Sequence, residues 1–266
     1  MSRVEEVYNG NVQREWERLE RHRTEFAVTM RALADYLPPA PAVIADVGGG
    51  PGRYAIALAA MGHKVTLVDL AENHLEWARA RAADAGVTLA ATLHADARRL
   101  NALADASFAA VLLFGPLYHL HAPEDRLRVL AEARRLLQSG GLLFAAFITR
   151  FAALRDSAAY YPEWGAERPA YVEQILRSGI HDDPESNFPD AYFAHPDEIA
   201  PLMAAADLEF LELVGVEGVV AGHEERINQL DDDAFAMWVE LNYRLGHEPT
   251  LYGASDHLLA IARKAG

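Results

Sequence analysis

The sequence predicts an α/β fold on a mostly parallel sheet, and three observations carry that expectation. The apolar run Val43-Ile44-Ala45-Asp46-Val47 turns on Gly48-Gly49-Gly50-Pro51-Gly52 and continues into a helix-like stretch at 54–61. Glycines permit φ > 0 and let backbone N–H groups approach a ligand, so strand, glycine turn and helix together form a cradle for a nucleoside-containing molecule. Short apolar runs then alternate with helical patterns as far as residue 148, the rhythm of βα units. Finally, Asp46, Asp69 and Asp96 sit at or near the ends of three successive predicted strands.

Composition sets limits. The 266 residues suffice for one large core, or a domain plus an insertion. Cysteine is absent, which removes disulfides, thiolate metal sites and a cysteine nucleophile. Apolar runs fall short of the roughly 18–20 residues of a membrane span, and the N-terminus lacks a signal-peptide core, so a cytoplasmic protein is expected. The net charge of −15 is uneven. Residues 1–150 carry 17 basic and 17 acidic side chains, whereas 151–266 carry 7 and 22. Nucleic acid needs a basic face, so the acidic half argues against it and leans toward neutral or cationic small molecules.

Taken in order, residues 9–36 place Val12, Trp16, Leu19, Phe26 and Met30 at helical spacing, and Pro38-Pro39-Ala40-Pro41 closes that helix. After the glycine turn, 64–70 reads as the second strand and ends at Asp69, about twenty residues on, where a carboxylate can accept hydrogen bonds from ribose hydroxyls. Residues 72–85 form a helix closed by Gly86. Residues 87–97 read as the third strand and its exit, and 107–114 as the fourth, which ends in Gly115-Pro116-Leu117-Tyr118-His119-Leu120. A helix over 123–137 stops at Gly140-Gly141, and 142–148 is the fifth strand. From 149 to 194 the rhythm breaks into an aromatic-rich insertion. The helix after His195-Pro196-Asp197 leads to a sixth strand from 208, and the last strand begins near 255. Asp231-Asp232-Asp233 reads as a helix N-terminus rather than a metal site, and no metal is expected.

The glycine turn separates two cofactor classes. A dinucleotide fingerprint G-x-G-x-x-G would place its third glycine at Arg53, too large for close helix–strand packing. Asp46-x-Gly48-x-Gly50-x-Gly52 instead resembles motif I of the class I S-adenosylmethionine (SAM) methyltransferases. The phrase 115–120 resembles the G-P-L-Y-H-L of many small bacterial members, and the passage from Arg134/Arg135 into the fifth strand is also similar. The resemblance implies a Rossmann-like sheet of seven strands, mostly parallel with the last antiparallel, plus an N-terminal helix and an inserted helical cap. It divides the chain into a helical lid (1–39), a SAM-binding core (40–150), an inserted cap (151–194) and a completion of the sheet (195–266) with a helical insertion near 217–252.

It also implies roles. Tyr8 on the lid, Asp46, Gly48, Gly49 and Gly50, Asp69 with Leu70, Asp96 with Ala97, and Phe114 with Gly115 would hold SAM. Tyr118 and His119 would face the methyl acceptor, with His119 the first choice of base and His195 another. Arg18, Arg21 and His22 would face the pocket, and Glu217-Gly218 and His223 would lie on the acceptor side. The expected activity is methyl transfer to an oxygen or nitrogen atom of a small molecule, with S-adenosylhomocysteine as product. The alternatives are an NAD(P)-binding oxidoreductase and a SAM-binding protein without transfer activity.

Overall fold

The computed structural model describes residues 3–184, 186 and 188–266. Three helices open the chain, α1 (Arg3–Gly10), α2 (Val12–Arg21) and α3 (Arg23–Tyr36). The single helix expected over 9–36 is therefore broken at Asn11 and His22, whose ψ angles of 29° and 58° leave the helical region. Asn11 and His22 both line the cavity described below. Next come β1 (Val43–Val47), α4 (Arg53–Ala60), β2 (Lys64–Asp69), α5 (Glu72–Asp84), β3 (Ala91–His94), β4 (Phe108–Leu113), α6 (Pro123–Leu136) and β5 (Leu137–Ile148). The third strand is shorter than 87–97. The fifth begins at Leu137 and absorbs Gly140, at φ 75°, as an irregularity in its pairing with β4.

The insertion holds α7 (Ala152–Tyr160), α8 (Pro162–Glu167), α9 (Pro169–Ser178) and a small ribbon of β6 (Ile180–His181) and β7 (Ala191–Tyr192). It is followed by α10 (Pro196–Ala205), β8 (Leu208–Gly215), α11 (Glu224–Ile227), α12 (Asp232–Leu245) and β9 (His257–Lys264). Asp231 caps α12 by accepting from the Ala234 N–H at 2.8 Å, as expected of that acidic triplet.

The seven-stranded sheet runs β3-β2-β1-β4-β5-β9-β8, and β9 is antiparallel to both neighbours. Both faces are covered, so the central strand β4 is apolar throughout and β1 carries one polar residue, the buried Asp46. Successive residues point to opposite faces. Val111, Leu143, Ala145 and Phe147 pack against α6 and α10, while Leu112 and Phe144 pack against α3, α4 and α12. A third, small core of Tyr118, Ile148, Ala152, Ile175, Ala191 and Phe193 binds the insertion to the sheet. The strand order reverses between β1 and β4, and there the carboxyl ends of the parallel strands open into a crevice. Among the described residues, no helix is long and apolar enough to cross a membrane.

Candidate active site

A single cavity of about 1230 Å³ lies over that crevice. One end is built from the turn after β1. Gly48 and Gly50 have φ of 69° and 57°. A Cβ on Gly48 would lie 2.5 Å from the Pro116 ring, so the β1 and β4 loops touch only because that side chain is missing. Gly50 N–H donates to Asp69 Oδ2 and Ala71 N–H to Oδ1, both at 2.8 Å. The Asp69 carboxylate is thus fixed on the wall, and each oxygen keeps a lone pair for a ribose hydroxyl. Asp96 is held by the Arg98 guanidinium, which also reaches Asp125. Tyr8, Leu70, Ala97, Phe114 and Gly115 line the same space.

Asp46 requires a correction. It does not line the cavity, and its side chain is fully buried under Gly49, where a Cβ would meet Asp46 Cγ at 2.5 Å. Burial, and then the neighbouring Asp69 carboxylate, pushes it up to about 7. Asp46 therefore supports the turn from beneath.

His74 was missed. It is 2% exposed, lies against the rings of Tyr8 and the turn at Gly50, and neither ring nitrogen has a hydrogen-bond partner. Its Nδ1 lies 3.4 Å from Asp69 Oδ1 and both nitrogens are sealed, so the ring packs behind the turn and beside that carboxylate. Its sequence context, a histidine on an ordinary amphipathic helix, carried no signal.

Over the middle of the cavity, the Tyr118 hydroxyl donates to the Phe114 carbonyl at 2.7 Å, and burial raises its pKa. Tyr118 thus braces the loop as a neutral phenol. His119 Nδ1 is 3.0 Å from the Asp190 carbonyl, which can only accept, so Nδ1 carries the hydrogen. Nε2 is then an acceptor, and Tyr8 donates to it at 2.7 Å. Burial lowers His119 to about 4, against the Asp190 carbonyl's pull. The ring is neutral with both nitrogens engaged. It latches α1, together with Asn73 Nδ2 donating to the Asn9 carbonyl at 3.0 Å.

His195 also requires a correction. It lies off the cavity wall, its Nδ1 accepts from Asp197 N–H, and Glu198 returns the bond to its backbone, a capping box that starts α10. His223 likewise lies off the wall, at the start of α11. Trp16 lies under the Arg53 guanidinium at 4.5 Å rather than in the cavity.

The far end is assembled from distant segments. Arg18, Arg21 and His22 line it as expected, with Asp156, Trp164, Asp256 and His257. Arg18 grips Glu25 through two bonds of 2.5 and 2.9 Å. His257 Nδ1 lies 2.6 Å from Glu217 Oε1, and Glu217 Oε2 accepts from the backbone N–H groups of Asp256 and His257 at 3.1 and 2.7 Å. Burial alone would raise Glu25, but Arg18 and then His257 outweigh it and hold it at about 2. Burial alone would lower His257, but Glu217 and Glu25 lift it to about 9. Glu25, Glu217 and His257 offer ligand atoms within 4.8 Å of one another, yet the cation already gripping Glu25 is Arg18. The four charges cancel without a metal.

The methyltransferase-domain family matches residues 44–141. A ubiquinone biosynthesis O-methyltransferase of Xanthomonas axonopodis pv. citri is 30% identical over 189 residues, 71% of this chain and 72% of that protein. A SAM-dependent methyltransferase structure from Methanosarcina mazei superposes with a TM-score of 0.60 at 20% identity, covering 88% of this chain and 97% of the other. A Burkholderia thailandensis 1,6-didemethyltoxoflavin-N1-methyltransferase, solved with its substrate and S-adenosylhomocysteine, gives 0.60 at 17% identity over 99% and 88%. The residues present suit SAM. Gly48 and Gly50 hold the turn in conformations that favour glycine, with φ of 69° and 57°, and Asp69 offers fixed acceptors on the cavity wall. These relationships retire the dinucleotide alternative, and the chain belongs to the class I SAM-dependent methyltransferase family.

Proposed function

We propose that this chain moves the methyl group of SAM to an oxygen or nitrogen atom of a small molecule. The observation that carries the reading is the cavity's size and continuity. At about 1230 Å³ it exceeds the roughly 300–1,000 Å³ of a single-ligand site. It runs unbroken from the glycine turn to the charged wall at His257, which suits a nucleoside donor at one end and an acceptor at the other.

Gly48, Gly49, Gly50, Asp69, Leu70, Asp96, Ala97, Phe114, Gly115 and Tyr8 hold the donor. SAM supplies an activated methyl group. The chain contributes alignment and exclusion of water, with α1 latched over the donor through Tyr8 and His119 and the 151–194 insertion over the acceptor. Tyr118 and His119 shape the passage between the two. The acceptor is a small molecule rather than a nucleic acid, in keeping with the acidic second half of the chain.

Calorimetric titration with S-adenosylhomocysteine and, in parallel, with NADH tests the donor. Micromolar binding of the first alone is expected, and binding of NADH alone would overturn the reading. Transfer of labelled methyl from SAM to a panel of phenols and amines then tests the activity. A protein that binds S-adenosylhomocysteine but labels neither class would be a SAM-binding protein without transfer activity.

A further inference from the structure

The charged wall contains a carboxylate–histidine pair that the donor end does not use. His257 opens β9, two strand spacings from β4 and so about 10 Å from the Gly115 turn. That is the reach of one small molecule. Glu217 is 2% exposed and anchored by two backbone N–H groups, so its remaining oxygen fixes the imidazole orientation. An ionised carboxylate only accepts, which assigns the hydrogen to Nδ1 and leaves Nε2 as the exchanging nitrogen. Nε2 has no hydrogen bond and is not among the sealed polar atoms, and the residue lines the cavity. Among the described histidines of the wall, His257 is the one whose ring is hydrogen-bonded to a carboxylate. A ring nitrogen open to the cavity, backed by an orienting acid, is the geometry of a general base. His119 lacks it, with both nitrogens engaged, and Tyr118 has spent its proton on Phe114.

We infer that His257, oriented by Glu217, takes the proton of the methyl acceptor, and that the acceptor carries a phenol-type hydroxyl. The inference rests on the methyl-transfer reading. The proton leaves the acceptor oxygen for Nε2, and the electron pair left on oxygen forms the new O–C bond. The pair of the broken C–S bond stays on sulfur, and the Nε2 proton passes to solvent when product leaves.

The groups facing the imidazole select this class. Glu217 and, across from α3, Glu25 favour the imidazolium, Arg18 from α2 opposes it weakly, and the adjacent Asp256 is paired with Arg155 at 3.3 Å. Once Nε2 holds the acceptor's proton, the imidazolium stabilises the oxyanion left beside it, a pairing that an alkylammonium cannot offer. With His257 at about 9, the neutral imidazole that takes the proton is populated as pH rises toward 9, and its exchange with a phenol ordinarily near 10 is then close to balanced. Trp164 and Tyr161 also line the cavity and suit a flat ring.

The test is spectroscopic and uses the full chain saturated with S-adenosylhomocysteine and titrated with 4-nitrocatechol, whose absorbance reports its ionisation. Wild type is expected to bind the probe as the anion, with its apparent pKa lowered by about one unit or more. His257→Gln is expected to bind it with the free probe's pKa, and Glu217→Gln to lie between. Equal ionisation in wild type and His257→Gln, or failure of the probe to bind the loaded protein, would overturn the inference. S-adenosylhomocysteine affinity is measured on each variant. Its retention by His257→Gln shows an intact fold, and its absence from wild type would instead defeat the methyl-transfer reading. If His257→Gln does not fold, Glu217→Gln decides alone, with an unchanged probe pKa as the contrary result.

Discussion

The two ends of the cavity are built from different materials. Around the glycine turn the wall is backbone, and its geometry depends on missing side chains, as at Gly48 against Pro116 and Gly49 over Asp46. Around His257 the wall is charge, with Arg18, Glu25, His257 and Glu217 arranged as alternating cations and anions. The first end should fail through shape and the second through electrostatics. Substitutions and pH can separate the two.

The largest effect is expected at the charged end. Arg18→Met leaves the Glu25 carboxylate buried without its partner and should cost about 3–5 kcal/mol in denaturant unfolding. The double variant Arg18→Met/Glu25→Gln removes the uncompensated charge and should recover most of that loss. No recovery would show that Arg18 acts by packing.

The pH dependence should move the charged end and the His119 latch in opposite directions. His257 titrates in the fold at about 9, above its ordinary 6.5, so its contribution is complete below 6.5 and lost as pH rises through about 9. His119 titrates at about 4, below its ordinary value, so stability falls as pH drops from 6.5 toward 4, where the unfolded chain binds a proton that the fold excludes. In melting temperature against pH, His257→Gln should flatten the alkaline limb and His119→Phe the acid limb. If either variant flattened the other's limb, the assignment would be wrong.

At the glycine end, Gly48→Ala must adopt φ near 69° and displace the Pro116 ring. The left-handed conformation alone costs a non-glycine residue about 1–2 kcal/mol, so S-adenosylhomocysteine affinity should fall about tenfold or more. The smallest effect is expected at the latch. Tyr8→Phe removes one hydrogen bond to His119, about 1 kcal/mol, and should speed hydrogen exchange in α1 about fivefold while the sheet is unchanged.

The same contrast explains what could be read from the sequence. The glycine end lies within a few βα units, so the strand–turn–helix spacing and the resemblance to motif I pointed to Gly48, Gly50 and Asp69. The fold followed from the same periodicity. The charged end joins residue 18 to 25 and 217 to 257, from four elements whose juxtaposition no local pattern encodes. Arg18 was visible as a pocket-facing residue and Glu217 as an acceptor-side one, while Glu25 and His257 looked like ordinary members of a helix and a strand. His195 misled for the opposite reason. His195-Pro196-x-Glu198 has the spacing of a capping box, and the local hydrogen bond claimed the side chain before any chemistry could. The break at His22 carries no glycine or proline, so the helical pattern ran through it unmarked, whereas Gly10 stands just before the break at Asn11.

The most direct test of a two-ended cavity is calorimetric titration of S-adenosylhomocysteine into wild type, Gly48→Ala and His257→Gln. The account predicts micromolar binding to wild type, a loss of about tenfold or more in Gly48→Ala, and an affinity within about twofold of wild type in His257→Gln. An equal loss in both variants, or a loss confined to His257→Gln, would contradict the division of the cavity into a nucleoside end and an acceptor end.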